Sequence, residues 1–476
     1  MHEWMGIRTS RRQFLSVAGG GLGLLAIAAM QSSALPTGKV APPKHPLAPK
    51  PPHFEPKAKR VLWLFMHGGP SHVDLFDPKS DLQKYAGQPL PDSFGDVMTR
   101  RKVAKNPLLA PVKPFKKYGN SGVEVSDFLP HIAQHADKLC VIRSMHGDSV
   151  NHPQSVYQMN TGNILMGHPS VGSWVTYGLG TENQDMPSFI VMTDKGGGIK
   201  GGPPAWGSGY LPATDQGTTM RTGEPPILDL APQPGISRSR QKQTFDLLQM
   251  MNARHRDLRG GDDEFSARIE AYELAFRMQA AAPALVDLSQ ETAATKKLYG
   301  VDHPKTRDFG VRCLLARRML ESGVRFVQLY SGDTNGWDAH NNVLTNHTEY
   351  TEKTDKPIAG LLTDLSQRGL LEDTLVIWGG EFGRMPMSEQ GKGRDHNPWG
   401  FCYWLSGAGV KGGHVHGATD AVGLRAAVNK VHISNLHATI LWSLGLDPER
   451  LTYFHNGLEE KLTGVEGARV MKELFA

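Results

Sequence analysis

The run Val61-Leu62-Trp63-Leu64-Phe65-Met66 is apolar without alternation and is closed by Gly68-Gly69-Pro70. Such a run suits a strand buried on both faces. Similar short runs occur at 139–142, 189–192, 324–329, 375–378 and 401–405. Between several of them the period changes. Over 306–321, Phe309, Cys313, Leu314, Ala316 and Leu320 recur at near-helical spacing, and Gly323 closes the segment. Residues 350–368, followed by Gly369, read as a second helix. The stretch 237–294 reads as helical throughout, either a pair of helices packed on one face or a lid. Strands alternating with helices predict an α/β fold, a mostly parallel sheet with helices on both faces.

The chain's start follows a different pattern. Thr9-Ser10-Arg11-Arg12-Gln13-Phe14-Leu15 precedes an uncharged run rich in Ala, Gly and Leu, and Ser32-Ser33-Ala34 offers a small-x-small cleavage site. A charged region, a short apolar region and small residues make a secretory signal, and the paired arginines before Phe-Leu select the twin-arginine branch. Residues 1–34 are therefore expected to be a signal peptide, 35–59 a Pro-rich linker or extended arm, and 60–476 the folded part. Export to the periplasm or outside the cell follows, with no stable membrane span in the mature chain.

The net charge is +5, and the signal's three arginines and one glutamate leave +3 for the rest. That balance, without runs of basic and aromatic residues, argues against nucleic acid as a partner. Cys140, Cys313 and Cys402 are too few and too widely spaced for a disulfide framework. The 53 glycines and 32 prolines point to long shaped loops, which often carry function on a rigid scaffold.

In open parallel sheets, ligands sit beyond the carboxyl ends of the strands. The first strand is followed by His67-Gly68-Gly69-Pro70-Ser71-His72-Val73-Asp74. The run 324–329 is followed by Asp333-Thr334-Asn335-Gly336-Trp337-Asp338-Ala339-His340, and 375–378 by Glu381-Phe382-Gly383-Arg384, then Arg394-Asp395-His396. Three strand ends would thus deliver His67, Asp74, Asp338, His340, Glu381, Asp395 and His396 to one edge. Imidazole with carboxylate suits Zn, Mn or Fe, and the oxygen donors also admit Mg or Ca. The same residues can instead cap helices and bridge turns.

The strand at 139–142 leads into Ser144-Met145-His146-Gly147-Asp148-Ser149-Val150-Asn151-His152-Pro153. Proline there marks the first turn of a helix, whose positive end favours an anion. Asn151 is a helix cap, a residue lining the site, or both. The stretch Gly196-Gly197-Gly198-Ile199-Lys200-Gly201-Gly202-Pro203-Pro204 lacks the phosphate-loop and dinucleotide patterns and reads as a mobile loop over the site. No G-x-S-x-G elbow is present, which disfavours a serine esterase.

Taken together, Gly68-Gly69-Pro70-Ser71-His72, Asp74, Asp77-Pro78-Lys79, Trp337-Asp338-Ala339-His340, Glu381-Phe382-Gly383-Arg384, Asp395-His396, Gly412-Gly413 and Gly417-Ala418-Thr419-Asp420 resemble the domain of unknown function 1501 family. The resemblance spans nearly the whole mature chain. That family commonly carries a twin-arginine signal and is placed in the alkaline phosphatase and sulfatase clan, so the resemblance implies an alkaline phosphatase/sulfatase-like fold. It also implies a divalent metal (Zn, Ca, Mg or Mn). His67, with Asp74 nearby, stands where clan enzymes place an acid after the first strand. Asp338 with His340 resembles the clan's acid–histidine pair, Glu381-Phe382 stands in place of Asp-His or Asp-Asn, and His396 beside Asp395 matches a later histidine. The sulfatase nucleophile pattern is not kept: His152-Pro153-Gln154-Ser155 lacks its arginine and its cysteine, although Thr161-Gly162 follows. Chemistry would then fall to a metal-activated water, or to His152, Ser149 or Ser155 as nucleophile or base, with Asn151 and Ser71 as further catalytic candidates.

The expected function is an exported metal-dependent hydrolase of sulfate or phosphate esters, acting on a small anionic ester or a sulfated polysaccharide. The alternative is a catalytically inactive relative that binds a glycan or a cell-envelope partner. An exported redox protein is disfavoured by the missing cysteine and haem motifs.

Overall fold

Alternation along β1 (Arg60–Met66) sets the layering. Leu62, Leu64 and Met66 point into a core shared with the helices Arg307–Glu321 and Val343–Gln367, through Leu314, Met319, Ile358 and Leu361. Val61, Trp63 and Phe65 point the other way, against His152–Thr161, Val171–Leu179 and Ile433–Ser443, through Val156, Trp174 and Leu436. A strand apolar at every position is what two covering layers require. The computed structural model describes residues 47–196, 198–221, 235–259 and 263–476. The expected signal peptide, and residues 35–46 of the expected linker, lie outside the described residues.

The other sheet strands are β2 (Cys140–His146), β3 (Phe189–Met192), β4 (Thr218–Met220), β5 (Phe326–Ser331), β6 (Thr374–Gly379), β7 (Phe401–Ser406), β8 (His414–His416) and β9 (Val431–His432). Their order is β8-β2-β7-β6-β1-β5-β3-β4, with β9 also pairing β2. Only β7 runs antiparallel to its neighbours β2 and β6. The architecture is therefore α/β, a mostly parallel sheet with helices on both faces. Register aligns the site edge: Met66 pairs with Ser331 and Phe65 with Gly379. The residues that follow β1, β5 and β6 thus emerge side by side.

Two departures from the sequence pattern bear on the site. Helix Val343–Gln367 starts well before residue 350, because the Asn342 side chain accepts a hydrogen bond from the Thr345 N–H at 3.1 Å and caps it there. The segment after Phe382 is a buried antiparallel hairpin, Gly383–Glu389 with Gly393–Asn397. Its polar sequence gave no strand signal.

Residues 47–59 are pinned along the domain. The Lys50 N–H donates to Leu179 O, and the Lys57 and Ala58 N–H groups donate to Ser443 O. In the region 237–294 the helices are Arg238–Arg259 and Asp263–Val286, then the start of Ala293–Leu298. Leu274, Met278 and Ala282 bury against the same core as Arg307–Glu321. No helix among the described residues is long and apolar enough to cross a membrane.

Candidate metal centre

The loops after β1 and β5 interlock through glycine. A Cβ on Gly68 would lie 2.5 Å from Asn335 O and Trp337 N, and one on Gly336 would lie 2.1 Å from His67 O. Both residues have positive φ, +109° and +52°. Side chains at these positions would push apart the segments that carry His67 and Asp338.

Three imidazoles converge on Asp338, each oriented by an acceptor at its other nitrogen. His152 Nδ1 lies 2.6 Å from Glu381 Oε1, His340 Nδ1 2.5 Å from Glu389 Oε2, and His396 Nδ1 2.6 Å from Val150 O. Carboxylates and carbonyls accept, so each Nδ1 carries a hydrogen and each ring turns its Nε2 inward. Those nitrogens face one another and Asp338. His340 Nε2 is 3.0 Å from His396 Nε2 and 3.0 Å from Asp338 Oδ1. His396 Nε2 is 3.2 Å from the same oxygen. His152 Nε2 is 3.0 Å from Asp338 Oδ2, yet it is buried and makes no aligned hydrogen bond. Burial pushes the His396 imidazole down to about 3, so it is uncharged near neutral pH.

The surroundings hold this arrangement. Arg384, fully buried, donates from Nη2 to Asp338 Oδ1 at 2.7 Å and from Nε to Gly69 O at 2.8 Å. Burial would raise the Asp338 carboxyl, but the Arg384 guanidinium beside it holds it well below the usual carboxylate range. Glu381 is likewise opposed by burial and held low, by His152 and by His67. It also accepts the Gly68 N–H at 2.9 Å. Phe382 closes one side, its ring stacked on His396 at 4.5 Å and tilted against His152 at 4.8 Å. Lys200 donates from Nζ to Asp338 Oδ2 at 3.2 Å. Asp338, Glu381, Glu389 and Asp395 stand at the centre with Arg384 and Lys200, and the half-exposed Arg101 lies 3.5 Å from Glu389.

The expected site residues divide accordingly. Asp338, His340, His396, Asp395, Glu381 and His152 are brought together. His152, Asp338 and His396 form one trio of possible ligand atoms within 4.8 Å of one another, and His340, Asp395 and His396 form a second. His67 is adjacent but engaged: Nδ1 donates to Asp333 O at 2.9 Å and Nε2 accepts the Lys200 N–H at 3.1 Å. Asp74 is held elsewhere, in a buried pair with Arg394 at 2.8 Å. The Ser71 hydroxyl is spent on Asp74, at 2.5 Å. Ser149 Oγ accepts the Asn151 N–H at 3.2 Å. Asn151 occupies the N-cap position of His152–Thr161, but its side chain makes no cap bond. Arg384, Glu389 and Lys200 were not among the expected residues. An arginine within a polar strand-end segment was the one available signal, and it names no partner.

The donor set suits a divalent metal. Three imidazole Nε2 atoms and a carboxylate, with contacts of 3.0–3.2 Å, form the kind of nitrogen–oxygen donor set that divalent metals take. Fold and site together define an α/β protein with a buried histidine–carboxylate centre at the carboxyl ends of its parallel strands. Residues 58–475 match the family model DUF1501, described as a protein of unknown function, and the chain belongs to that family. No curated protein matches it. Among solved structures it is similar to the PsFucS1 sulfatase from Pseudoalteromonas sp., at 12% identity over 82% of this chain and 68% of that one, with a TM-score of 0.35. It is also similar to the phosphonate monoester hydrolase SpPMH from Silicibacter pomeroyi, at 11% identity over 73% and 71% of the two chains, with a TM-score of 0.33. A third is a mutant TAB5 alkaline phosphatase with Mg bound, at 9% identity over 82% and 99%, with a TM-score of 0.34. These neighbours are hydrolases by name, but likenesses this weak leave the chemistry of the centre to its own side chains.

Proposed function

We propose that this chain is an exported, metal-dependent hydrolase of sulfate or phosphate esters. The observation that supports the reading is the convergence of the His152, His340 and His396 Nε2 atoms on the Asp338 carboxylate. His152, His340, His396 and Asp338 would hold the metal, with Asp395 beside them. His396 belongs to both trios and has only Nε2 to give, since Nδ1 is committed to Val150 O. One imidazole lone pair serves one ion, so the reading is of a single metal.

A divalent metal held there supplies Lewis-acid stabilisation of negative charge developing on an ester oxygen. The protein does the positioning. Glu381, Glu389 and Val150 O fix the three ring tautomers. Arg384 locks Asp338 from behind, and Phe382 keeps water off one face. The Asn151 amide, uncommitted to capping, lies at the positive end of the His152–Thr161 helix, where a substrate anion is favoured.

The second reading, a binding protein for a glycan or a cell-envelope partner, is favoured by one feature. The hydroxyls of Ser71 and Ser155 are committed to Asp74 and Ser149 O, and the three cysteines are buried. Attack would thus fall to water or to Ser149, whose Oγ accepts the Asn151 N–H. Export-purified protein loaded with Zn, Mn, Mg or Ca should cleave aryl sulfate or aryl phosphate, and Asp338→Ala should abolish this. Turnover that survives in Asp338→Ala would refute the hydrolase reading at this centre. Absence of turnover with every metal, alongside binding of a sulfated polysaccharide, would establish the second reading.

A further inference from the structure

Lys200 stands out in the centre because it is a cation on an oxygen that a metal would need. It comes from the glycine-rich segment after β3, and its side chain is 26% exposed, against 9% for Asp338 and 5% for His152. Buried Ile199 anchors the segment on one side. On the other, Gly201 and Gly202 adopt φ of +101° and +60°. The Lys200 N–H donates to His67 Nε2 at 3.1 Å, so the main chain is tied to the site independently of the side chain. Lys200 Nζ sits 3.2 Å from Asp338 Oδ2, and that oxygen also faces the orphaned His152 Nε2 at 3.0 Å.

We infer that Lys200 is an internal cation that competes with the metal for Asp338 Oδ2, and so sets a threshold on which metals the centre accepts. This rests on the metal reading above. An ammonium and a divalent ion repel strongly at such separations in a buried site. A metal held by His152 and Asp338 would therefore displace the ammonium. The His67 tie leaves the main chain in place while the long, partly exposed side chain turns outward. The displacement cost is the same for every metal, but its consequence is not. Ions that bind imidazole strongly, such as zinc, can meet it. Magnesium and calcium, which depend on oxygen ligands, lose one of the few that the centre offers. His67 thereby acts as a positioning residue for the lysine.

The test compares the tag-free, metal-stripped full chain with Lys200→Met, Lys200→Arg and Asp338→Ala. Zinc affinity is read by competition with a chromophoric chelator, and magnesium affinity by calorimetry. Lys200→Met should bind both ions at least about tenfold more tightly than wild type, while Lys200→Arg, which keeps the charge, should stay near wild type. Unchanged or weaker zinc affinity in Lys200→Met, with zinc still lost in Asp338→Ala, would overturn this inference and leave the metal centre standing. Zinc bound by neither wild type nor Lys200→Met would overturn both. Circular dichroism of each variant separates a lost fold from a lost site.

Discussion

Replacing Asp74 by Asn keeps the side chain's shape and removes its charge. In the wild type that charge faces Arg394, and both side chains are fully buried. Ser71 Oγ and the Val112 N–H also donate to the carboxylate, the latter at 2.9 Å. Burial alone would push the Asp74 carboxyl up, but the guanidinium and these hydrogen bonds hold it below the usual range. Breaking a buried pair from one side costs about 3–5 kcal/mol, because the surviving charge is left uncompensated. Arg394 keeps the carbonyls of Met385, Pro386, Leu109 and Ala110, which places the expectation near the lower end. At about 2.1 cal/mol/K per residue over roughly 430 residues, the unfolding entropy is about 0.9 kcal/mol/K, so Tm should fall by about 3 °C. Urea unfolding at neutral pH reads the free energy directly. A depressed carboxylate contributes stability above its unfolded pKa and loses it as pH falls through the folded value. The gap between wild type and Asp74→Asn should therefore narrow only well into acid. Metal content should not change. A variant of unchanged stability that has lost its metal would refute this reasoning and make Asp74 a ligand.

Two further outcomes follow from the geometry. Glu389→Ala removes the acceptor that orients His340, 2.5 Å from Nδ1, and should weaken metal affinity by about 10–100-fold in a chelator competition without abolishing the site; unchanged affinity would mean that His340 is not a ligand. Asp215 is buried away from the centre, and burial raises its carboxyl to about 7. The folded state therefore keeps a proton that the unfolded chain releases, and stability falls as pH rises from about 4 to 7. Asp215→Asn should remove that slope and gain up to about 4 kcal/mol at pH 8 relative to pH 4 in paired denaturation curves; a difference independent of pH would contradict the shift.

The sheet was readable because its strands are apolar at successive positions, and two covering layers leave no polar face to blur the signal. The loop positions of His67, Asp338 and Glu381 followed from that, since each comes directly after a strand end. The hairpin carrying Arg384, Glu389 and His396 was not readable. Its buried positions are filled by charged groups that satisfy one another, which a hydrophobicity pattern scores as loop. Asp74 illustrates the same difficulty in reverse. Position along the chain placed it near the site, but which cation an acid meets is decided by tertiary contacts, and here Arg394 from the hairpin meets it. Asn151 shows that a cap position does not dictate a cap bond.

The central claim is one divalent metal bound by His152, His340, His396 and Asp338. Elemental analysis of the tag-free full chain beside His396→Ala tests it most directly. The account predicts one equivalent of a single divalent metal in the wild type and its loss in the variant, with the fold retained. Two equivalents in the wild type, or an equal metal content in His396→Ala, would contradict it.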